Sequence, residues 1–310
     1  MGGYDFFGSS QMNGQDYKII CAGSVLWDII GYVETDLCLG EDKGGKIERR
    51  PGGVAFNIAQ KLSRLGLKPI MLSSIGQDED GKQLIEHCKA LGCDMQYVHM
   101  CSQHTTDRYM AIEDKNGLVA AVADARALES QGHEILKPLK DGRLGSLENP
   151  SKSIVILDGN LTSEQFLDLA ISPVLSKCAL KLAPASPAKV DRLRVFSSHP
   201  STVLYCNLSE AEILTGQNYE SSQAASRGLL DMGFSRVVVT NGSEFACDSE
   251  QNVNSINQKP TKVSIQGVTG AGDVFMAAHI FAEISGCSRQ EALDVAIMSA
   301  GNYVSGKDVA

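Results

Sequence analysis

Hydrophobic positions fall into short unbroken runs separated by amphipathic stretches. Tyr17–Val25, Pro69–Gly76, Ser153–Asp158, Ala179–Pro184, Thr202–Asn207 and Arg236–Thr240 are continuous apolar runs of strand length. Between them, apolar residues recur at helical spacing. This predicts one helix carrying Ile58, Leu62 and Leu65 and stopped by Gly66, and others over Lys82–Leu91, Ser163–Lys177, Ala188–Phe196, Ser209–Thr215, Ser221–Met232 and Gln290–Val304. Strands buried on both faces and alternating with helices predict a mainly parallel sheet covered on each side, an α/β sandwich. Two regions break the alternation. Gly31–Arg50 alternates loosely and then becomes charged, and Thr105–Ile112, the turn Asp114–Gly117 and Leu118–Val122 read as a hairpin. Both are expected outside the main sheet.

The most informative stretch is QGVTGAGDVFMAAHIFAEIS, Gln266–Ser285. A strand is expected over Lys262–Ile265, then Thr269–Asp273, then a helix with Val274, Ala277, Ala278, Phe281 and Ile284 on one face. Gly270, Ala271 and Gly272 at a helix mouth leave backbone N–H groups open to an anion, and the helix dipole favours negative charge there. Asp273, in the first turn, could take a proton from a hydroxyl attacking a bound phosphoryl group. Alone, the four residues also fit a tight turn with an acid at the helix start. Gly52 and Gly53 precede another helix and permit close approach of a ligand, with Asn57 one turn in. Asp28 follows the first apolar run, where open α/β sheets collect ligands, although taken alone it is better explained as a turn cap.

Composition narrows the partners. The chain has 310 residues, a net charge of -9 and 21% charged residues, which argues against nucleic acid or an anionic membrane as a main partner. Its nine cysteines show no CxxC and no metal-ligand spacing with histidine, so they read as reduced thiols and point to a cytoplasmic protein. No apolar run reaches membrane-spanning length. Met1–Asp16 is polar and rich in Gly, Ser and Gln, and is expected to be a flexible tail ahead of one domain over 17–310.

Three further signals sit at expected strand ends: Asn207-Leu208-Ser209-Glu210, Thr240-Asn241-Gly242, and Gly270–Asp273. Together with Pro51-Gly52-Gly53…Asn57, and in this order, they resemble the signature set of the ribokinase-like (PfkB) carbohydrate and nucleoside kinases, from about Tyr17 to the end. The resemblance implies a three-layer α/β/α sandwich with a small β lid formed by about 31–50 and 105–123. It implies Asp273 as general base and Gly270, Ala271 and Gly272 as an anion hole. Asn207 and Glu210 would organise Mg²⁺ and phosphate through water, and Thr240 and Gly242 would hold ATP. Asp28, Gly52, Gly53 and Asn57 would hold the acceptor's hydroxyls. A homodimer through the lid edges follows as an expectation.

Within this family the chain is most similar to the pseudouridine kinases, through Pro51–Gln60, Asn116-Gly117…Ala123-Asp124-Ala125, Asp158-Gly159-Asn160 and Val268–Asp273. That likeness implies ATP-dependent phosphorylation of a C-nucleoside. It puts Asn160 near the substrate and makes Thr106 and Arg108 candidates for reading the base. Asn302, near the last helix's end, is a nucleotide candidate. Two departures stand out. Gly267 replaces an acid that ribokinases often use toward a monovalent cation, which weakens the case for K⁺, although Thr269 and backbone carbonyls remain as ligands. Glu244 would repel phosphate if it faced inward. Alternatives are a ribokinase, a purine-nucleoside kinase or a non-catalytic sensor on the same fold. A dinucleotide oxidoreductase is disfavoured because no G-x-G-x-x-G follows the first strand.

Overall fold

The computed structural model describes residues 17–307, so the tail expected over 1–16 lies outside the described residues. The first half of the chain runs β1 (Lys18–Ala22), β2 (Leu26–Tyr32), β3 (Lys46–Gly52), α1 (Val54–Arg64), β4 (Pro69–Leu72), β5 (Ser74–Gly76), α2 (Glu79–Ala90), β6 (His99–Cys101), β7 (Arg108–Asp114) and β8 (Gly117–Asp124). It continues with α3 (Arg126–Glu129), α4 (Gly132–Leu136), β9 (Ser153–Asp158), α5 (Ser163–Ala170), β10 (Ala179–Ala183), β11 (Thr202–Asn207), α6 (Leu208–Thr215) and α7 (Ser222–Asp231). The last elements are β12 (Arg236–Thr240), β13 (Ala246–Glu250), β14 (Val253–Gln258), α8 (Ala271–Ile284) and α9 (Arg289–Val304).

The main sheet has eight strands in the order β14-β13-β12-β11-β10-β9-β1-β4. Pairing is parallel from β4 to β12 and antiparallel at β13 and β14. Side chains alternate across each strand, so this sheet feeds two cores. Ile20, Val155, Leu180, Leu204 and Val237 pack with Phe166, Leu214 and Leu229 from α5, α6 and α7. On the other face, Cys21, Ile156 and Val238 pack with Phe56, Leu84, Ile280 and Leu293 from α1, α2, α8 and α9. The result is three layers, as the continuous apolar runs require. A separate four-stranded sheet, β3-β2-β7-β8, gathers the two regions that broke the alternation.

Some expectations change. Pro69–Gly76 divides into β4, which joins the main sheet, and β5, which pairs with β6. The segment Pro187–Phe196 is a 3₁₀ helix, not an α-helix. Lys262–Ile265 forms no strand; Val263 and Ile265 are exposed, so its alternation has no apolar surface to cover. β13 and β14 are additional strands: ACDSE and VNSINQ carry no continuous apolar run, although β13 is buried between β12 and the edge strand β14. All nine cysteines are free thiols. Among the described residues, no helix is long and apolar enough to cross a membrane.

Candidate active site

The carboxyl ends of β1, β9, β10, β11 and β12 open into a cleft of about 600 Å³, roofed in part by β2 and β7 of the second sheet. Asp28, Gly53, Asn57, Asn160, Asn207, Glu210, Thr240, Gly270, Gly272 and Asp273 all border it. Ten residues that the sequence reading singled out, spread over some 250 positions, thus converge on one cavity.

Asp273 occupies the first turn of α8, and the Asn57 amide donates to its Oδ2 at 2.9 Å. Burial pushes its carboxyl up to about 7; the Asn57 hydrogen bond opposes the shift, and Asp158, Asp28 and Glu210 add to it by repulsion. Gly270 starts the helix in a left-handed conformation, φ 87°, which glycine adopts without strain. The N–H groups of Gly272 and Asp273 lie in the first turn, where the α-helix supplies no carbonyl partner. Ala271 departs from expectation: its N–H donates to the Val268 carbonyl at 3.1 Å, and it does not border the cleft.

The other wall is built around Asp158, a fully buried carboxylate at the end of β9. Its Oδ2 accepts from the Ser24 N–H at 2.9 Å, the Ser24 hydroxyl at 2.7 Å and the Ala55 N–H at 2.9 Å. Its Oδ1 accepts from the Asn160 N–H at 2.9 Å. One side chain therefore ties the ends of β1 and β9 to the start of α1. Ser24 Oγ in turn accepts from the Asn160 amide and the Val54 N–H, both at 2.9 Å. Sequence reading missed Asp158 as the organiser; an acid ending a wholly apolar strand was the available signal.

Asp28 borders the cleft, but from β2 in the second sheet rather than from the end of the first strand, because the chain leaves the main sheet at Gly23. Burial raises its carboxyl to about 6, against the opposing pull of Arg50. Gly52 does not border the cleft. It serves Asp28 instead: a Cβ at Gly52 would overlap the Asp28 carboxylate.

At the next strand ends, Asn207 and Glu210 form a reciprocal cap on α6. Asn207 Oδ1 accepts from the Glu210 N–H, and Glu210 Oε2 accepts from the Asn207 N–H, each at 2.9 Å. Glu210 is buried, which raises its carboxyl above the usual range. Thr240 pairs directly beside Asn207 in the sheet. Gly242 makes the following turn with φ 54° but does not border the cleft. Glu244 is exposed and pairs with Lys259 at 2.8 Å, outside the cleft lining.

Three further candidates lie elsewhere. Thr106 is buried, and its N–H donates to Asp78 Oδ2 at 2.9 Å, so it fastens the hairpin to the cap of α2. Arg108 pairs with Asp80 at 2.7 Å and Arg49 pairs with the same carboxylate at 2.7 Å, which engages Arg108 outside the cleft. Asn302 is an exposed residue of α9, and its carbonyl accepts from the Lys307 N–H. Conversely, Lys189, Tyr109 and Tyr205 border the cleft without having been singled out. Among the described residues, no cluster of three or more His, Cys, Asp or Glu side chains could hold a metal ion directly.

The chain is 29% identical over 276 residues to the pseudouridine kinase of Escherichia coli (strain K12), an alignment covering 86% of this chain and 83% of that protein. It is 25% identical over 302 residues to a guanosine-inosine kinase of Exiguobacterium acetylicum, covering 93% and 94%. The structure of Arabidopsis thaliana ribokinase, solved with ribose and ATP, superposes with a TM-score of 0.71 at 21% identity, covering 93% and 92% of the two chains. The fold is ribokinase-like. Residues 16–307 match the model of the pfkB family carbohydrate kinases, and the chain belongs to that family.

Proposed function

We propose that this kinase transfers the γ-phosphoryl group of ATP to the 5′-hydroxyl of pseudouridine, giving pseudouridine 5′-phosphate and ADP. The observation that carries the chemistry is the pairing of Asp273 with an unblocked helix start inside the cleft. Phosphoryl transfer needs positioning and charge stabilisation more than covalent help. Asp273 accepts the proton of the 5′-hydroxyl. A carboxyl held near 7 suits a base working at neutral pH better than an ordinary aspartate does. The Gly272 and Asp273 N–H groups receive charge from the transferring phosphoryl oxygens. Asn57 orients the base through its amide.

Roles divide across the sheet. Asn207 and Thr240 sit side by side at the ends of β11 and β12 and serve the nucleotide. Asp28 serves the acceptor from the opposite side, where Asn160 also borders the cleft. Glu210 fits a role toward Mg²⁺ through water: it is an acid bordering the cleft, with one carboxylate oxygen committed to its own helix cap. Mg²⁺ bound with ATP would offset phosphate charge. The second sheet acts as the lid. Its outer strands β3 and β8 leave open edges, and Met110, Leu118 and Val122 are exposed, which supports pairing between two lids in a homodimer. Sedimentation showing only monomer at micromolar concentration would remove the dimer.

The choice of pseudouridine rests on its being the named substrate of the E. coli relative, at 29% identity. A purine nucleoside is the second reading, favoured by the alignment with the guanosine-inosine kinase, which covers nearly all of both chains. ADP release with Mg-ATP across pseudouridine, uridine, inosine, adenosine and ribose separates them. Selective turnover of pseudouridine is expected. Preference for inosine would keep the mechanism and replace the substrate, whereas silence across the panel would overturn both.

A further inference from the structure

Among the described residues, those bordering the cleft include four acids, Asp28, Asp107, Glu210 and Asp273, and a single basic side chain, Lys189. Lys189 lies in the 3₁₀ helix Pro187–Phe196 that follows β10. Its Nζ donates to Asn160 Oδ1 at 2.5 Å. The approach depends on Gly159, where a Cβ would overlap the Pro184 carbonyl and push the loop after β10 off the end of β9. Burial and the neighbouring Arg192 lower the ammonium's affinity for its proton, while Asp158 and Glu129 work against that shift. Keeping a half-buried cation here carries a cost that a surface lysine avoids.

Asn160 borders the cleft, yet both ends of its amide are engaged. Its Nδ2 donates to Ser24 Oγ at 2.9 Å, and its Oδ1 receives Lys189. An ammonium carries three N–H donors, so one on Asn160 leaves two for a ligand. Position decides which ligand. Lys189 is anchored over the end of β9, whereas Thr240 ends β12, three strands away in the sheet order. At about 4.8 Å per strand that separation is roughly 14 Å. Lys189 therefore stands on the acceptor side of the cleft, away from the nucleotide side.

We infer that Lys189 is a specificity-determining residue, donating to an acceptor-only carbonyl oxygen on the base of the nucleoside substrate. The inference rests on the nucleoside-kinase reading above. Sugar hydroxyls both donate and accept, so carboxylates such as Asp28 suit them. A ring carbonyl only accepts and needs a donor, and Lys189 is the charged donor on that side. Asn160 is then the positioning residue that fixes the ammonium.

The test compares wild type, Lys189→Met and Lys189→Arg with pseudouridine and with ribose, which lacks a base. KM for ATP and the melting temperature serve as internal references. Lys189→Met is expected to lower kcat/KM for pseudouridine about 10- to 100-fold, mostly through KM, as loss of a charged hydrogen bond does. Its KM for ATP and any turnover of ribose should stay within about twofold. Lys189→Arg should recover part of the loss. Unchanged pseudouridine kinetics in Lys189→Met would overturn the inference. So would a parallel rise in KM for ATP and fall in melting temperature, which would make Lys189 structural. A wild type that phosphorylates ribose but no nucleoside would overturn the functional reading itself, a result distinguishable from the other two.

Discussion

The two larger sheets of this molecule hold their cleft residues by different means. At the carboxyl edge of the main sheet, every residue of β9 is buried, and its terminal Asp158 carries four hydrogen bonds that lock β1, β9 and α1 together. In the second sheet, the first seven residues of β8 are exposed, and so are the first five of β3. That sheet is seated by polar contacts at its base. The Asp80 carboxylate receives Arg49 from β3 and Arg108 from β7, and the Trp27 indole N–H donates to the Asp80 carbonyl at 3.0 Å. Arg49 also stacks 3.9 Å over the Trp27 ring. Rigid apolar strands suit groups that must hold a reacting geometry. A sheet fastened by exposed ion pairs suits a part that admits and covers a substrate.

If the groups gathered at the carboxyl edge of the main sheet perform the chemistry, their variants should lose turnover, and second-sheet variants should change acceptor binding. Asp273→Asn carries the largest expected effect: normal folding and a fall in kcat of about 10²- to 10⁴-fold or more, measured by ADP release. Near-full turnover would remove Asp273 from the mechanism. Gly52→Ala comes next, because its methyl group would displace the Asp28 carboxylate. It should raise KM for the acceptor at least several-fold while leaving KM for ATP unchanged; a loss in kcat alone would break the division between sheets.

Asn57→Ala should act through the base. The Asn57 hydrogen bond holds the Asp273 carboxyl down, so removing it raises that pKa further above its value of about 7. The acidic limb of kcat/KM should then move to higher pH, and an unmoved limb would show that Asn57 does not tune the base. Asp80→Ala carries the smallest expected effect. Partly exposed ion pairs contribute about 1 kcal/mol or less each. The melting temperature should barely move, while KM for the acceptor rises modestly and becomes less sensitive to salt. A large loss of stability would mean that the clasp is part of the core.

The sequence was most legible where apolar runs are long and local. Ile154–Leu157 and Val237–Val239 announced buried strands, and Gly270–Asp273 announced a helix start inside a cleft. Legibility failed where the deciding partner is remote. Thr106 and Arg108 looked like base readers from their place in the hairpin, but their partners Asp78 and Asp80 lie 28 residues earlier. Ala271 looked like part of an anion hole until the Val268 carbonyl took its N–H. Lys189 carried no motif; the chain path after β10 brings it to Asn160, and that path depends on Gly159. Polar β13 and β14 lacked the apolar pattern that periodicity detects.

If Asp273 is the base for the phosphoryl acceptor, the pH dependence of kcat/KM in the unmutated protein must show it. A base must be deprotonated to act, so a carboxyl near 7 predicts activity that falls tenfold per pH unit below about 7 and levels off above it. A profile that stays flat from about pH 5 to 8 would contradict that role, because an aspartate acting as base from this cleft must lose activity on protonation.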